Sequence, residues 1–377
     1  MDFSRESLEL HRKFGGKLEI RSKVPLATRE DLSLAYTPGV GQVSVEIGKD
    51  PALAYDYTIK RNTVAVISDG SAILGLGNLG AAAAIPVMEG KAILFKEFGG
   101  IDAFPICLAT QDTEEIIRAV KTIAPVFGGI NLEDISAPRC FEILARLQEE
   151  LDIPVVHDDQ QGTAVVVLAG LINALQVREL DKTKVKLVMN GAGAAGIFVT
   201  RMLLRYGFRN IVVCDSVGII QRGREGLTDA KRAIAETTNP EGHTGGLADA
   251  LRGANIFIGV SKAGVLTGSM VHTMEPNPIV FALANPVPEI MPDEARAAGA
   301  SIVATGRSDF PNQINNVLAF PGIFRGALDN RIRRVTDDML MAAAERLASC
   351  VPCPTADRIL PDPFDRNVVA AVASAIR

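Results

Sequence analysis

Two stretches decide the fold: Gly128-Gly-Ile-Asn-Leu-Glu-Asp-Ile135 and Ile153-Pro-Val-Val-His-Asp-Asp-Gln-Gln-Gly-Thr163. Each reads as a short buried strand closing on an acidic pair, Glu133 and Asp134 in the first and Asp158 and Asp159 in the second. Between them Ser136 can cap a helix, Pro138 suits its first turn, and Cys140, Leu144, Leu147 and Leu151 recur at helical spacing. A strand, helix, strand unit makes its strands parallel. If they are neighbours, both pairs project from one carboxyl edge with backbones about 5 Å apart. Ligands of open α/β sheets bind at that edge. Four carboxylates there repel unless protons or a cation intervene, and hard oxygen donors favour Mg²⁺ or Mn²⁺ over zinc. One acidic pair after a strand is as well explained as a helix cap or a solvated loop charge. Two pairs on one edge point to a divalent metal.

Downstream, the apolar run Val185 to Asn190 leads into Gly191-Ala-Gly193-Ala194-Ala195-Gly196 and a helical run, Ile197 to Leu204. A strand before, a helix after, and a strand Asn210 to Cys214 ending in Asp215 supply the context that a dinucleotide fingerprint needs. The glycines allow a tight turn and close approach to the pyrophosphate, and Asp215 would hold the ribose hydroxyls. A bare Asp215 disfavours a 2′-phosphate and so favours NAD. Ser216, Arg222 and Arg224 keep NADP open. Strands over 256–260, 279–284 and 302–305, with a short helix at 247–252, extend a doubly wound parallel sheet. Asn285-Pro286 and Asn315-Asn316 follow strand ends or turns, where amides can hold a carboxylate or simply form the turn.

Upstream, Thr63 to Ser68 and Ser71 to Leu74 read as a hairpin about Asp69-Gly70. An earlier Gly75, Gly77, Gly80 triplet lacks the strand context of a fingerprint and fits close packing near the site. Lys91 opens what reads as an apolar strand, and partial desolvation would lower its pKa toward that of a usable base; solvated surface charge is the plainer alternative. Tyr36 stands before a Pro-Gly turn, either a packed loop aromatic or a held hydroxyl. Pro105 to Leu108 reads as a buried strand and Thr113 to Ile123 as an amphipathic helix. Apolar residues lie on nearly every face of Gly162 to Val177, a buried linking helix, and the polar run Arg178 to Lys184 follows as a boundary. The domains are set at 1–160 and 161–377.

With 377 residues, 47% hydrophobic residues and 34 Gly, the chain can fill α/β layers in two domains. A net charge of −5 argues against nucleic-acid binding. Five cysteines suit a reducing cytoplasm, and Cys350-Val-Pro-Cys353 reads as structural. The four His are not paired at metal-ligand spacing. No secretion signal opens the sequence and no membrane span is expected, which points to a cytoplasmic protein.

Taken together, Tyr36-Thr-Pro-Gly, Ser68-Asp-Gly, Leu74-Gly-Leu-Gly-Asn-Leu-Gly80, Gly90-Lys91, Asn131-Leu-Glu-Asp134, His157-Asp-Asp-Gln-Gln-Gly-Thr163, Gly191-Ala-Gly193, Asn285-Pro286 and Asn315-Asn316 resemble the malic enzyme family in its short bacterial form. The resemblance implies an N-terminal α/β malic-enzyme-type domain plus a doubly wound Rossmann NAD(P)-binding domain. It further implies oxidative decarboxylation of L-malate to pyruvate and CO₂ with NAD(P)⁺ and Mg²⁺ or Mn²⁺. It assigns Glu133, Asp134 and Asp159 as metal ligands, with Asp158 beside them. Lys91 becomes the general base, Tyr36 the general acid, and Asn285 and Asn316, with Asn315 adjacent, the substrate amides. A homodimer or larger assembly is implied, in which Tyr36 or Lys91 can act from a neighbouring subunit. Two departures stand out: Ala72 replaces the arginine with which larger members grip substrate, and no phosphotransacetylase-like extension follows, so its regulation is not expected. The rivals are a malolactic or oxaloacetate decarboxylase on the same scaffold, a metal-independent amino-acid dehydrogenase, and a non-catalytic nucleotide sensor.

Overall fold

The protein is described here from a computed structural model covering residues 3–377. Four helices open it, α1 (Phe3–Phe14), α2 (Arg29–Ala35), α3 (Gly39–Lys49) and α4 (Ala54–Tyr57), and none contains a buried residue. The first sheet follows: β1 (Thr63–Ser68), α5 (Ala81–Gly99), β2 (Asp102–Cys107), α6 (Thr113–Ile123), β3 (Gly129–Leu132), α7 (Arg139–Glu150) and β4 (Val155–His157). Its order is β2-β1-β3-β4, all parallel. Alternation along β1 separates its two layers. Val64 and Val66 face a core shared with α5, and Ala65 and Ile67 one shared with α6 and α7.

From β4 the chain enters α8 (Thr163–Arg178), whose residues Ala164 to Leu171 are buried without a break. The second sheet comprises β5 (Lys186–Asn190), α9 (Ala194–Tyr206), β6 (Asn210–Asp215), β7 (Gly218–Ile219), α10 (Asp229–Thr237), α11 (Leu247–Leu251), β8 (Ile256–Gly259), α12 (Gly268–Val271), β9 (Ile279–Ala282), α13 (Pro292–Ala297) and β10 (Ile302–Thr305). Its order is β10-β9-β8-β5-β6-β7, parallel except for the β6–β7 pair. Leu187 and Met189 join the core that holds α8, while Val188 joins the core on the opposite face. Three helices finish the chain, α14 (Phe320–Asp329), α15 (Asp337–Ser349) and α16 (Asn367–Ala373). Phe320 and Phe324 of α14 pack edge-on against Phe95 of α5, at 4.7 and 5.2 Å between ring centres. The tail therefore returns to the first sheet. Buried Asn173 of α8 donates to Ala348 O and Ile359 O, both at 2.9 Å, tying that tail to the central helix.

Several local expectations are corrected. Asp69-Gly70 is not a hairpin turn: β1 pairs in parallel with β2 and β3, and Ser71 and Ala72 form a bend that leads into a 3-10 turn, Ile73–Gly75. Lys91 lies in the helix α5 and not on a strand; apolar runs this short do not distinguish the two by periodicity. Ser136 is not a helix cap. Pro138 holds that place, and the Ser136 N–H donates to Ser71 Oγ at 2.9 Å. β2 is half-buried at a sheet edge, which accommodates Pro105. By length and hydropathy one segment, Asp158–Arg178, could cross a membrane; 78% of its apolar window is buried inside the protein, the place of a core helix.

Candidate active site

The two acidic pairs meet. β3 and β4 are adjacent and parallel, with Leu132 opposite His157, so Glu133-Asp134 and Asp158-Asp159 leave the same edge side by side. A π-helical turn, Asp158–Gly162, joins β4 to α8; such widened turns recur at functional sites because they displace side chains from helical register. Glu133, Asp134 and Asp158 are buried, and Asp159 is partly exposed. The Asp134 N–H donates to Asp159 Oδ2 at 2.9 Å, joining the pairs directly.

Lys91 reaches into this cluster from α5. Its Nζ lies 2.6 Å from Asp158 Oδ2 and 3.0 Å from Glu133 Oε1, over the Phe320 ring at 4.3 Å. Burial by itself would lower its pKa, but Asp158 and then Glu133 outweigh burial and raise it. The expectation of a lowered pKa is therefore corrected for this ion-paired arrangement. One ammonium does not balance four carboxylates. Burial first, and mutual repulsion next, push Asp134 up to about 9. Burial also pushes Asp158 up, to about 8, against the pull of Lys91. His157 is fully buried, which lowers its pKa to about 4, so it adds no positive charge at neutral pH.

That surplus of negative charge suits a divalent cation. So does the donor chemistry: Asp134 Oδ2, Asp158 Oδ1 and Asn131 Oδ1 are buried acceptors without a hydrogen-bond partner, all hard oxygens. Among the described residues, however, no three His, Cys, Asp or Glu side chains converge as a ready ligand set. The Lys91 ammonium and the Asp134 N–H already hold one oxygen each of Glu133, Asp158 and Asp159.

The second sheet brings its own loops to the cluster. Gly191 follows β5 with φ +119°, and a Cβ there would lie 2.6 Å from Val260 O; one on Gly196 would lie 1.8 Å from Gly191 O. Gly193 faces open space at the start of α9, with Ala194 and Ala195 as its first residues, which leaves a helix N-terminus for a pyrophosphate. Asp215 ends β6 as expected, but its carboxylate is already paired with Arg224 and with Lys231 Nζ at 2.7 Å, and takes the Val217 N–H at 3.0 Å. Burial opposes its ionisation and Arg224 and Lys231 outweigh it, holding its pKa well below the usual carboxylate range. Two cations around one carboxylate offset the repulsion a bare Asp215 would exert on a 2′-phosphate. Neighbouring Ser216 is exposed.

Asn285 lies against the glycine-rich loop of the first sheet, since a Cβ on Gly75 would stand 2.7 Å from Asn285 O. Asn316 lies against the acidic turn: a Cβ on Gly162 would meet Asp158 Oδ1 at 1.8 Å and the Asn316 Cβ at 3.4 Å. Asn315 instead caps its own turn, accepting the Val317 N–H at 2.9 Å. Tyr36 ends α2 with 66% of its surface exposed, and no described hydrogen bond joins it to the cluster. Sequence reasoning missed Asp69, Ser71 and Arg139, which brace the loop after β1, and Glu289, a fully buried carboxylate bridging Ser261 N and Ala284 N. Arg139 stands 70 residues from Asp69, and Glu289 28 residues from Ser261, so local spacing does not mark these pairs.

Comparison with known proteins decides the kinship. The family description "Malic enzyme, N-terminal domain" matches residues 15–148, and "Malic enzyme, NAD binding domain" matches residues 160–376. The chain belongs to the malic enzyme family. Over its whole length it is 55% identical to a bifunctional malic/malolactic enzyme of Bacillus subtilis, covering 92% of that protein. It is 57% identical to an NAD-dependent malic enzyme of Geobacillus stearothermophilus, over 96% of this chain and 76% of the other. The crystal structure of an NAD-dependent malic enzyme from Thermotoga maritima superposes with a TM-score of 0.95 at 52% identity, covering 98% of each chain. As a malic enzyme the chain places Ala72 in the loop after β1, whose backbone N–H donates to Asp134 O at 3.0 Å. A cation stands at the asparagine loop instead: Arg307 Nη1 donates to Pro286 O at 3.3 Å, while the guanidinium pairs with Asp309.

Proposed function

We propose that the protein oxidatively decarboxylates L-malate to pyruvate and CO₂ with reduction of NAD(P)⁺. The observation that carries this reading is a buried lysine held between two carboxylates where both sheets present their carboxyl-edge loops. Glu133, Asp134 and Asp159 would hold a divalent cation. When bound, Mg²⁺ or Mn²⁺ supplies Lewis-acid polarisation of the substrate's C2 oxygen, and the nicotinamide supplies the hydride acceptor.

Lys91 takes the C2 hydroxyl proton. It needs a neutral amine for this, and Asp158, whose Oδ2 lies 2.6 Å from the Lys91 Nζ, is the group placed to exchange a proton with it. Asn285 and Asn316 orient the substrate carboxylates, Asn315 caps the turn that carries Asn316, and Arg307 offers the charge missing at Ala72. Tyr36 returns a proton to C3 after CO₂ leaves. Because Tyr36 is exposed and α1 to α4 bury no residue, we place Tyr36 in the site of a second copy within a homodimer or larger homo-oligomer. Gly191, Gly193, Ala194, Ala195 and Gly196 receive the pyrophosphate, and Asp215 and Ser216 flank the adenosine ribose. NAD is the expected coenzyme, with NADP accepted through Arg224 and Lys231. The division at 160/161 separates the metal-binding from the coenzyme-binding loops, and the free cysteines suit a reducing cytoplasm.

The test is malate-dependent production of NADH and NADPH with and without Mn²⁺, repeated on Lys91→Ala, Asp159→Ala and Arg307→Met. The first two should lose at least about 10²-fold in kcat. The third should mainly raise the KM for malate. Full activity in Lys91→Ala, or metal-independent turnover, would overturn the assignment. A malolactic reaction is the second reading, favoured by the name of the Bacillus subtilis relative. Lactate formed from malate without net NADH would support it.

A further inference from the structure

Asp134 has a left-handed backbone, φ +54°, which only glycine adopts freely. A conformation of that kind persists where neighbouring structure over-determines it. Here the clamp is the loop after β1. Ala72 N donates to Asp134 O at 3.0 Å and Leu74 N to Asp134 Oδ1 at 3.4 Å, which leaves Oδ2 buried and unpartnered. The loop is itself anchored by one carboxylate. Asp69, 1% exposed, accepts the Ser71 N–H at 2.9 Å, the Ser71 hydroxyl at 2.5 Å and Arg139 Nη2 at 2.8 Å. Ser71 Oγ in turn accepts the Ser136 N–H at 2.9 Å, so the loop after β3 is laced to the loop after β1 at Asp134 and again two residues beyond it.

None of these three side chains belongs to the acidic cluster, yet together they fix where Asp134 stands. Arg139 is the cationic partner of Asp69 among the described ion pairs. Removing it leaves a buried charge free to pull Ser71 and the loop elsewhere.

We infer that Asp69, Ser71 and Arg139 are positioning residues that hold Asp134 in its left-handed conformation and thereby set the protein's affinity for a divalent cation. This rests on the proposed metal-holding role of Asp134. Groups that orient metal ligands through hydrogen bonds commonly change affinity about 10- to 100-fold when removed.

The experiment is Mn²⁺ titration of the full chain by EPR and calorimetry, with NADH binding followed by fluorescence as a check on the fold. Ser71→Ala and the charge-neutral double variant Asp69→Asn/Arg139→Met are expected to bind Mn²⁺ at least about 10-fold more weakly. Their bound-Mn²⁺ EPR spectrum should change, while NADH affinity stays within about twofold; Arg139→Lys, which keeps the charge, should recover part of the loss. Asp134→Asn separates the two readings. If it binds Mn²⁺ as the wild type does, Asp134 holds no metal and the underlying reading fails. If it loses Mn²⁺ while Ser71→Ala and the double variant bind normally, the positioning inference alone is overturned. Equal losses of Mn²⁺ and NADH affinity in those variants would also overturn it, as they would mark a merely structural role.

Discussion

Lys91 shows how far a residue's chemistry depends on what surrounds it. Taken alone, a lysine in an apolar run has a depressed pKa; beside Asp158 and Glu133 the same burial strengthens an ion pair and the pKa rises. The acids respond in the opposite sense. Asp134, pushed up to about 9, keeps in the folded chain a proton that the unfolded chain has already released. That contribution to stability is fully present below the ordinary carboxylate pKa and is lost as pH rises through about 9. Lys91 is charged in both states across that window and does not offset the slope. The chelator-treated protein should therefore melt at progressively lower temperature between about pH 6.5 and 9.5, by at most about 1.4 kcal/mol per pH unit. Saturating Mn²⁺ should flatten the fall. A melting temperature that rises with pH in chelator would show that Asp134 is not held protonated.

At the scale of elements, period and punctuation carried the reading where segments were long. Helices over 113–123 and 163–178 and the five parallel strands of the second sheet lie where apolar spacing puts them, while the short antiparallel edge strand β7 carries no such signal. The 71–74 strand and the strand at Lys91 failed because short apolar runs suit either period, and pairing with distant strands decides between them. The glycine loop after β5 gives a test at this scale. Gly196→Ala would drive a Cβ to 1.8 Å from Gly191 O, whereas Gly193→Ala meets nothing within 4 Å. The first should cost about 1–3 kcal/mol in denaturant unfolding. The second should unfold normally yet bind NADH at least about 10-fold more weakly, since its methyl would occupy the approach to the helix N-terminus. Equal stability of the two variants would refute the packing argument, and normal NADH binding by Gly193→Ala would refute the pyrophosphate assignment.

At the scale of the whole molecule, side chains of both sheets, of α8 and of the tail from α14 onward belong to one continuous core. The exposed apolar side chains of α1 to α4, Phe3, Leu8, Phe14, Leu32 and Leu34 among them, fit burial against a second copy. Mixing Tyr36→Phe with Lys91→Ala, each inactive alone, should then restore about a quarter of wild-type activity through hybrid dimers with one intact composite site. No recovery on mixing, in a sample shown by sedimentation to hold hybrids, would place Tyr36 in its own subunit's site or out of the reaction. The parallel strand, helix, strand unit and the glycine loop before α9 were legible in the residues alone, because these follow from local period and from the handedness of short connections; that the four acids share one edge followed once β3 and β4 proved adjacent. Only the packed fold brings Lys91 on a helix to sit among those acids, sets Arg224 and Lys231 against Asp215, and pairs Asp69 with Arg139 beside the loop that carries Asp134. Each of these is a charge placed by packing between segments distant in the chain, and its effect depends on distances and burial that no local pattern encodes.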